Sequence, residues 1–200
     1  MRGTSTRVSF PSAGADGVLR LLLRLADGAD ALNRAIGLTA RWLAVALVLV
    51  QFCVVVLRYA YGSSFVWMQE GVIYLHAFLF MLAIGYAYLL DAHVRVDFYY
   101  ARWSERTKAW VDLAGVVVAV LPFCWLLVWA SWGYVARSFM MGEGPMQVGG
   151  LPLQPYLKGL ILAMAGLLGL QALSVAIRAV AVIAGAATTV FPHRQVIADA

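Results

Sequence analysis

Three groups of polar residues stand out in a chain that is otherwise strongly apolar. The first is His93-Val94-Arg95-Val96-Asp97, where an imidazole, a guanidinium and a carboxylate fall at alternate positions. His93 and Asp97 are four apart and share one face wherever helix continues, so together they could bracket a helix end or a partner. His93 and Arg95 also place donors within a turn of the unpaired carbonyls of a helix finishing at Leu90. A solvated helix end is the alternative, and spacing does not separate the two. The second group is Gln51, His76 and Gln171, strongly polar side chains set well inside apolar runs. His76 could carry a proton or an ion. As a neutral ring it could instead bond to another helix, with Gln51 as the candidate acceptor. The third group is Arg58 and Glu70, which flank a short link and could pair across it. An exposed pair contributes about 0–1 kcal/mol, so its effect would lie in geometry.

Other chemistries find no support. His76 and His93 lie seventeen residues apart on or beside one helix, about 25 Å along its axis, too far to be two axial ligands of one haem. His193 stands outside the apolar runs. The sequence contains no nucleophile–base pair, Gly-rich phosphate loop or metal-ligand spacing, so it reads as a non-enzyme without a cofactor. Basic residues gather at the ends of apolar segments without interleaved aromatics, which argues against nucleic acid.

The segments that position these groups are long and uncharged. The 200 residues are 63% hydrophobic and 12% charged, with mean hydropathy +0.82, whereas soluble domains are about 45–50% apolar and about 25% charged. Four runs can cross a hydrocarbon core of about 30 Å: 42–57, 71–90, 113–136 and 159–177. The first is short, but Arg41 and Arg58 can snorkel at its ends. Pro122 is expected to kink the third. Cys53 and Cys124 fall within spans and read as small buried hydrophobes rather than disulfide partners.

Before the first span, residues 18–40 alternate apolar and charged positions at a helical period. They are expected to form an amphipathic helix on the membrane surface; a helical arm packed on protein is the alternative. Residues 1–17 lack the core and cleavage site of a signal peptide and are expected to be a mobile cytoplasmic segment. Residues 41–187 form the four-helix membrane domain and 188–200 a cytoplasmic tail. Twelve of the fifteen Lys and Arg lie on the side of both termini, against Arg58, Arg137 and Lys158 opposite, which puts both termini in the cytoplasm. The fold class is therefore an all-α integral membrane protein with four transmembrane helices. Asp, Glu, Lys and Arg near the spans lie at their ends, and no internal repeat is visible. A coupled carrier usually has a polar midplane site in repeated halves, so this chain is not expected to move a substrate unaided. A self-sufficient channel or carrier built on His76 and a redox-enzyme membrane anchor are the competing readings.

Several motifs together resemble one family. Val56-Leu57-Arg58-Tyr59, Trp67-Met68-Gln69-Glu70, the small residue Gly85, and His93-Val94-Arg95-Val96-Asp97 are similar, in order, to the small membrane subunit of tripartite ATP-independent periplasmic (TRAP) transporters. That family has Trp-Ser-Glu-Glu where Met68 and Gln69 stand here, so one of its two carboxylates is absent. The run Asp91–Tyr100, with Gly149-Gly150-Leu151-Pro152 and Tyr156-Leu157-Lys158, resembles the mannitol/chloroaromatic subgroup, similar to 2-oxo acid and lactate systems. The resemblance implies a bacterial inner-membrane subunit, paired one to one with a large transport subunit and served by a periplasmic substrate-binding protein. Uptake of an organic anion, commonly a carboxylate, would use a sodium or proton gradient, with the ion site on the large subunit. Arg58, Trp67, Glu70, His93, Arg95, Asp97, Gly150, Pro152 and Lys158 become candidates for structural or interface roles. Ala163, Gly166 and Gly169 would allow close packing on the partner, and membrane lipid would surround the assembly.

Overall fold

The computed structural model describes residues 13–91, 103–187 and 189–191, and the regular structure among them is helical. Helix α1 runs Ala13–Ala60 and α2 runs Val66–Leu89. Helix α3, Glu105–Gly115, passes through a π-helical turn at Val116–Val120 into α4, Leu121–Met141, and α5 is Gln154–Ile183. Four stretches are long and apolar enough to cross a membrane: Gly17–Ala60, Val66–Leu89, Glu105–Met141 and Gln154–Ile183. Each covers the corresponding expected span to within a residue and runs past it.

The boundaries follow local chemistry. Gly62, at φ +65°, reverses the chain after α1, and the Ser63 N–H returns to the Leu57 carbonyl at 3.0 Å, satisfying a helix-terminal acceptor. Ser104 caps α3 by accepting from the Thr107 N–H, as an N-terminal Ser should. Gly142 ends α4 in the left-handed region. The π turn explains how Pro122 is tolerated. Proline lacks an N–H and its ring strikes the carbonyl four residues back. Here the Leu121 N–H reaches the Val116 carbonyl five residues back, and the wider turn absorbs the misfit.

The sequence predicts a separate surface helix over 18–40, but the structure continues it into the first span as one unbroken 48-residue helix. Ala26, Ala29, Asp30, Asn33 and Ala40 are buried on one face of it, together with Gly37. That face packs against α2 and α5, as in the protein-packed alternative. The cause is chemical: polar groups on α5 match those on this face, as described below.

Helix α5 is the hub. It carries twelve buried residues against four on α2 and contacts α1, α2, α3 and α4. Lipid removes the hydrophobic drive for helix association, so packing rests on close approach. Ala165, Ala172 and Ala179, seven apart on α5, are 2%, 0% and 0% exposed. Ala172 and Ala179 belong to a cluster that joins Ala109, Val116, Val175 and Val182 to Val190 and Phe191. The chain after α5 therefore turns back onto the bundle, and Phe191 meets Tyr88 edge-on at 6.4 Å. The interior of the expected membrane domain thus reaches past 187 to 191.

Candidate functional site

Two polar clamps hold the helices, one at each end of the bundle. The first lies where α1, α2 and α5 meet. Asp30, 3% exposed, accepts from Gln171 Nε2 at 2.8 Å and Ser174 Oγ at 2.6 Å on one oxygen, and from Arg178 at 2.6 Å on the other. Arg178 also reaches Asp27 at 2.7 Å. The Gln171 carboxamide faces both ways: its oxygen accepts from Asn33 Nδ2 at 2.9 Å. These positions follow from helical spacing, since Asp27, Asp30 and Asn33 on α1 meet Gln171, Ser174 and Arg178 on α5 at intervals of three and four. A buried carboxylate keeps its charge only with such partners.

Asn33 Oδ1 has no hydrogen-bond partner among the described residues, and it points at Gly85 of α2. A Cβ on Gly85 would overlap that oxygen. The Gly85 Cα–H is instead aimed at it, a weak contact of the kind found where helices approach closely. Gly37 is equally tight, because an added Cβ would overlap Tyr86.

The second clamp organises the loop between α4 and α5. Glu70, 3% exposed on α2, accepts the Gln147 N–H at 3.2 Å and the Leu151 N–H at 2.6 Å. Gly150 closes over the carboxylate, with no room for a Cβ. Glu143 forms an ion pair with Lys158 and accepts from Ser138 Oγ. The Lys158 ammonium sits 4.2 Å from the centre of the Tyr134 ring, a cation–π contact. The hydrogen bonds from Lys158 and then Ser138 hold the Glu143 carboxyl below its ordinary range. These contacts bind backbone and fix helices. They leave no nucleophile beside a base, and no group of three or more His, Cys, Asp or Glu among the described residues could hold a metal.

Residues 38–182 match the family model described as Tripartite ATP-independent periplasmic transporters, DctQ component. The chain belongs to the DctQ family. It is the small membrane subunit of a TRAP transporter, a multi-pass inner-membrane protein working with a large membrane subunit and a substrate-binding protein. DctQ is a transporter component rather than an enzyme family. No curated protein and no solved structure matches the chain.

The remaining DctQ motif residues are placed as follows. Glu70 does not pair with Arg58: its oxygens are taken by the 147–151 backbone, while Arg58 lies exposed at the end of α1. Trp67 is 51% exposed and packs on Phe65 at 6.3 Å. Gly150 and Lys158 belong to the loop clamp, and Pro152 is exposed beside it. Gln171 belongs to the other clamp. Gln51 and His76 line one open groove between α1 and α2; neither has a hydrogen-bond partner among the described residues, so the expected Gln51–His76 bond is not made. Cys124 is buried, but Cys53 faces outward. Ala163 and Gly166 lie on the open side of α5, while Gly169 faces Cys124 on α4. His93, Arg95 and Asp97 lie outside the described residues. Asp30, Asn33 and Ser174 were not legible as site residues. The signal for them was the helical recurrence of small or polar residues at 26, 29, 30, 33, 37 and 40.

Proposed function

We propose that this subunit is a fixed scaffold for the large transport subunit, which imports an organic anion, of carboxylate type, driven by a sodium or proton gradient. The two subunits associate one to one, the ion site lies on the large subunit, and both termini of this chain face the cytoplasm. The observation that carries the scaffold reading is the state of the buried carboxylates. Among the described residues these are Asp30 and Glu70. Asp30 is filled by side-chain donors from α5, and Glu70 by backbone N–H groups. Transport sites need ionisable groups open to a pathway near mid-membrane; these two are committed to holding helices and a loop. Orientation rests on the twelve-to-three distribution of basic residues, and the substrate class and mannitol/chloroaromatic subgroup on the sequence resemblance.

The test is uptake by the reconstituted three-component system with Glu70→Gln or Asp30→Asn in this subunit. The maximal rate should fall, while the order in which a panel of organic acids competes stays unchanged. A reordered panel from an intact assembly would contradict the scaffold role.

A further inference from the structure

We propose that the groove between α1 and α2 centred on Gln51 and His76 is the face that docks on the large membrane subunit, receiving a transmembrane helix that presents a hydroxyl or carboxamide side chain at mid-depth. The inference rests on the subunit reading above and adds the face and the chemistry of its contact.

Three observations carry it. The groove encloses about 580 Å³ and is walled by Val48, Val72, Ile73 and Ala77, with Gln51 and His76 set among them. Both polar side chains are exposed on the isolated chain and neither is hydrogen-bonded among the described residues. Phe80, one turn along α2, packs on the imidazole with ring centres 4.5 Å apart and planes tilted by 38°.

Depth decides what can fill the groove. Gln51 is nine residues from the end of α1 at Ala60, and His76 is ten from the start of α2 at Val66. At about 1.5 Å per residue, both sit about 14–15 Å in from the same end of the bundle, near the centre of a hydrocarbon layer about 30 Å thick. Neither side chain is long enough to snorkel out. Lipid tails offer no donor or acceptor, so a lipid-filled groove leaves an amide and an imidazole desolvated and unpaired. A protein helix bearing a polar side chain satisfies both, and its apolar neighbours suit the groove walls. The Trp125–Trp129 pair on α4 is also exposed, but it makes no comparable demand for polar partners.

The experiment uses the intact pair of membrane subunits. Wild-type chain is first shown to retain the large subunit in mild detergent; failure at that step removes the subunit reading itself. Gln51→Leu and His76→Leu should then each weaken association about tenfold, while the thermal stability of the isolated variants stays at the wild-type value. Trp129→Leu should leave association unchanged. A photo-crosslinking residue at Val48 should join this chain to the large subunit. The proposal is overturned by wild-type association of both groove variants, by loss of folding in the isolated variants, or by a Val48 crosslink only to lipid or to a second copy of this chain.

Discussion

Gly85 is explained by a single neighbour. Its missing side chain is the space that Asn33 Oδ1 occupies, so the two residues form one packing unit across α1 and α2. Gly85→Ala is expected to destabilise the subunit by about 1–3 kcal/mol, the range for overpacking. In an Asn33→Ala background the penalty should shrink, which a double-mutant cycle in mixed detergent would measure. In the neighbouring cluster, charge and hydrogen bonding differ in weight. Asp30→Ala leaves Arg178 without its buried partner and is expected to lose about 3–5 kcal/mol. Ser174→Ala removes one interhelical hydrogen bond and should lose about 0.6 kcal/mol, the average for such bonds in lipid. Equal losses would show that Asp30 acts as an ordinary hydrogen-bond acceptor. The sequence made Gln171 visible because it interrupts an apolar run. Asp30 and Asn33 sit in an already charged stretch and read as a solvated face, since only a residue distant in the chain reveals that the face is covered.

At the scale of elements, the loop between α4 and α5 shows how a short irregular segment is held. Glu70 accepts two of its backbone N–H groups. A glutamine there offers one carbonyl oxygen and turns an amide N–H2 toward the other donor. Losing one bond to a charged acceptor is worth about 1.5–3 kcal/mol. In Glu70→Gln, amide exchange at residues 147–151 should therefore speed up by about tenfold or more, with the helices little changed. Glu143 adds a pH dependence. Its carboxyl is held low by Lys158 and Ser138, so its contribution is present above the ordinary carboxylate pKa and is lost as pH falls through the depressed folded value. Melting temperature followed against pH should show an acid-side component that Glu143→Gln removes; an identical profile in the variant would exclude the pair as its source. The number and positions of the four membrane-spanning stretches were legible because a run of about twenty uncharged residues has one use in a membrane. The union of 18–40 with the first span was not, because periodicity reports an amphipathic face and not whether water, lipid or protein covers it. Glycines and prolines marked the 142–155 loop, but not the carboxylate that organises it.

The whole molecule is a hub with open sides. Helix α5 gathers the others, while the outer faces of α1 and α4 remain largely exposed. Four helices arranged this way enclose little interior, and the buried carboxylates among the described residues act as clamps. The family was legible from ordered motifs between Gln51 and Ile177, and the family model covers a slightly wider stretch, 38–182. The motif histidine and aspartate are not needed to see the clamps: the loop clamp uses Glu70, Gly150 and Lys158 of the motifs, while the Asp30 clamp rests on residues the motifs left out. The central claim is that this chain supports transport without performing it. Its most direct test is uptake into liposomes under an imposed sodium or proton gradient, using as labelled substrate the ligand recovered from the binding protein. The account predicts no uptake with this chain alone and restored uptake when the large subunit and loaded binding protein are added. Gradient-driven uptake by this chain alone would contradict it.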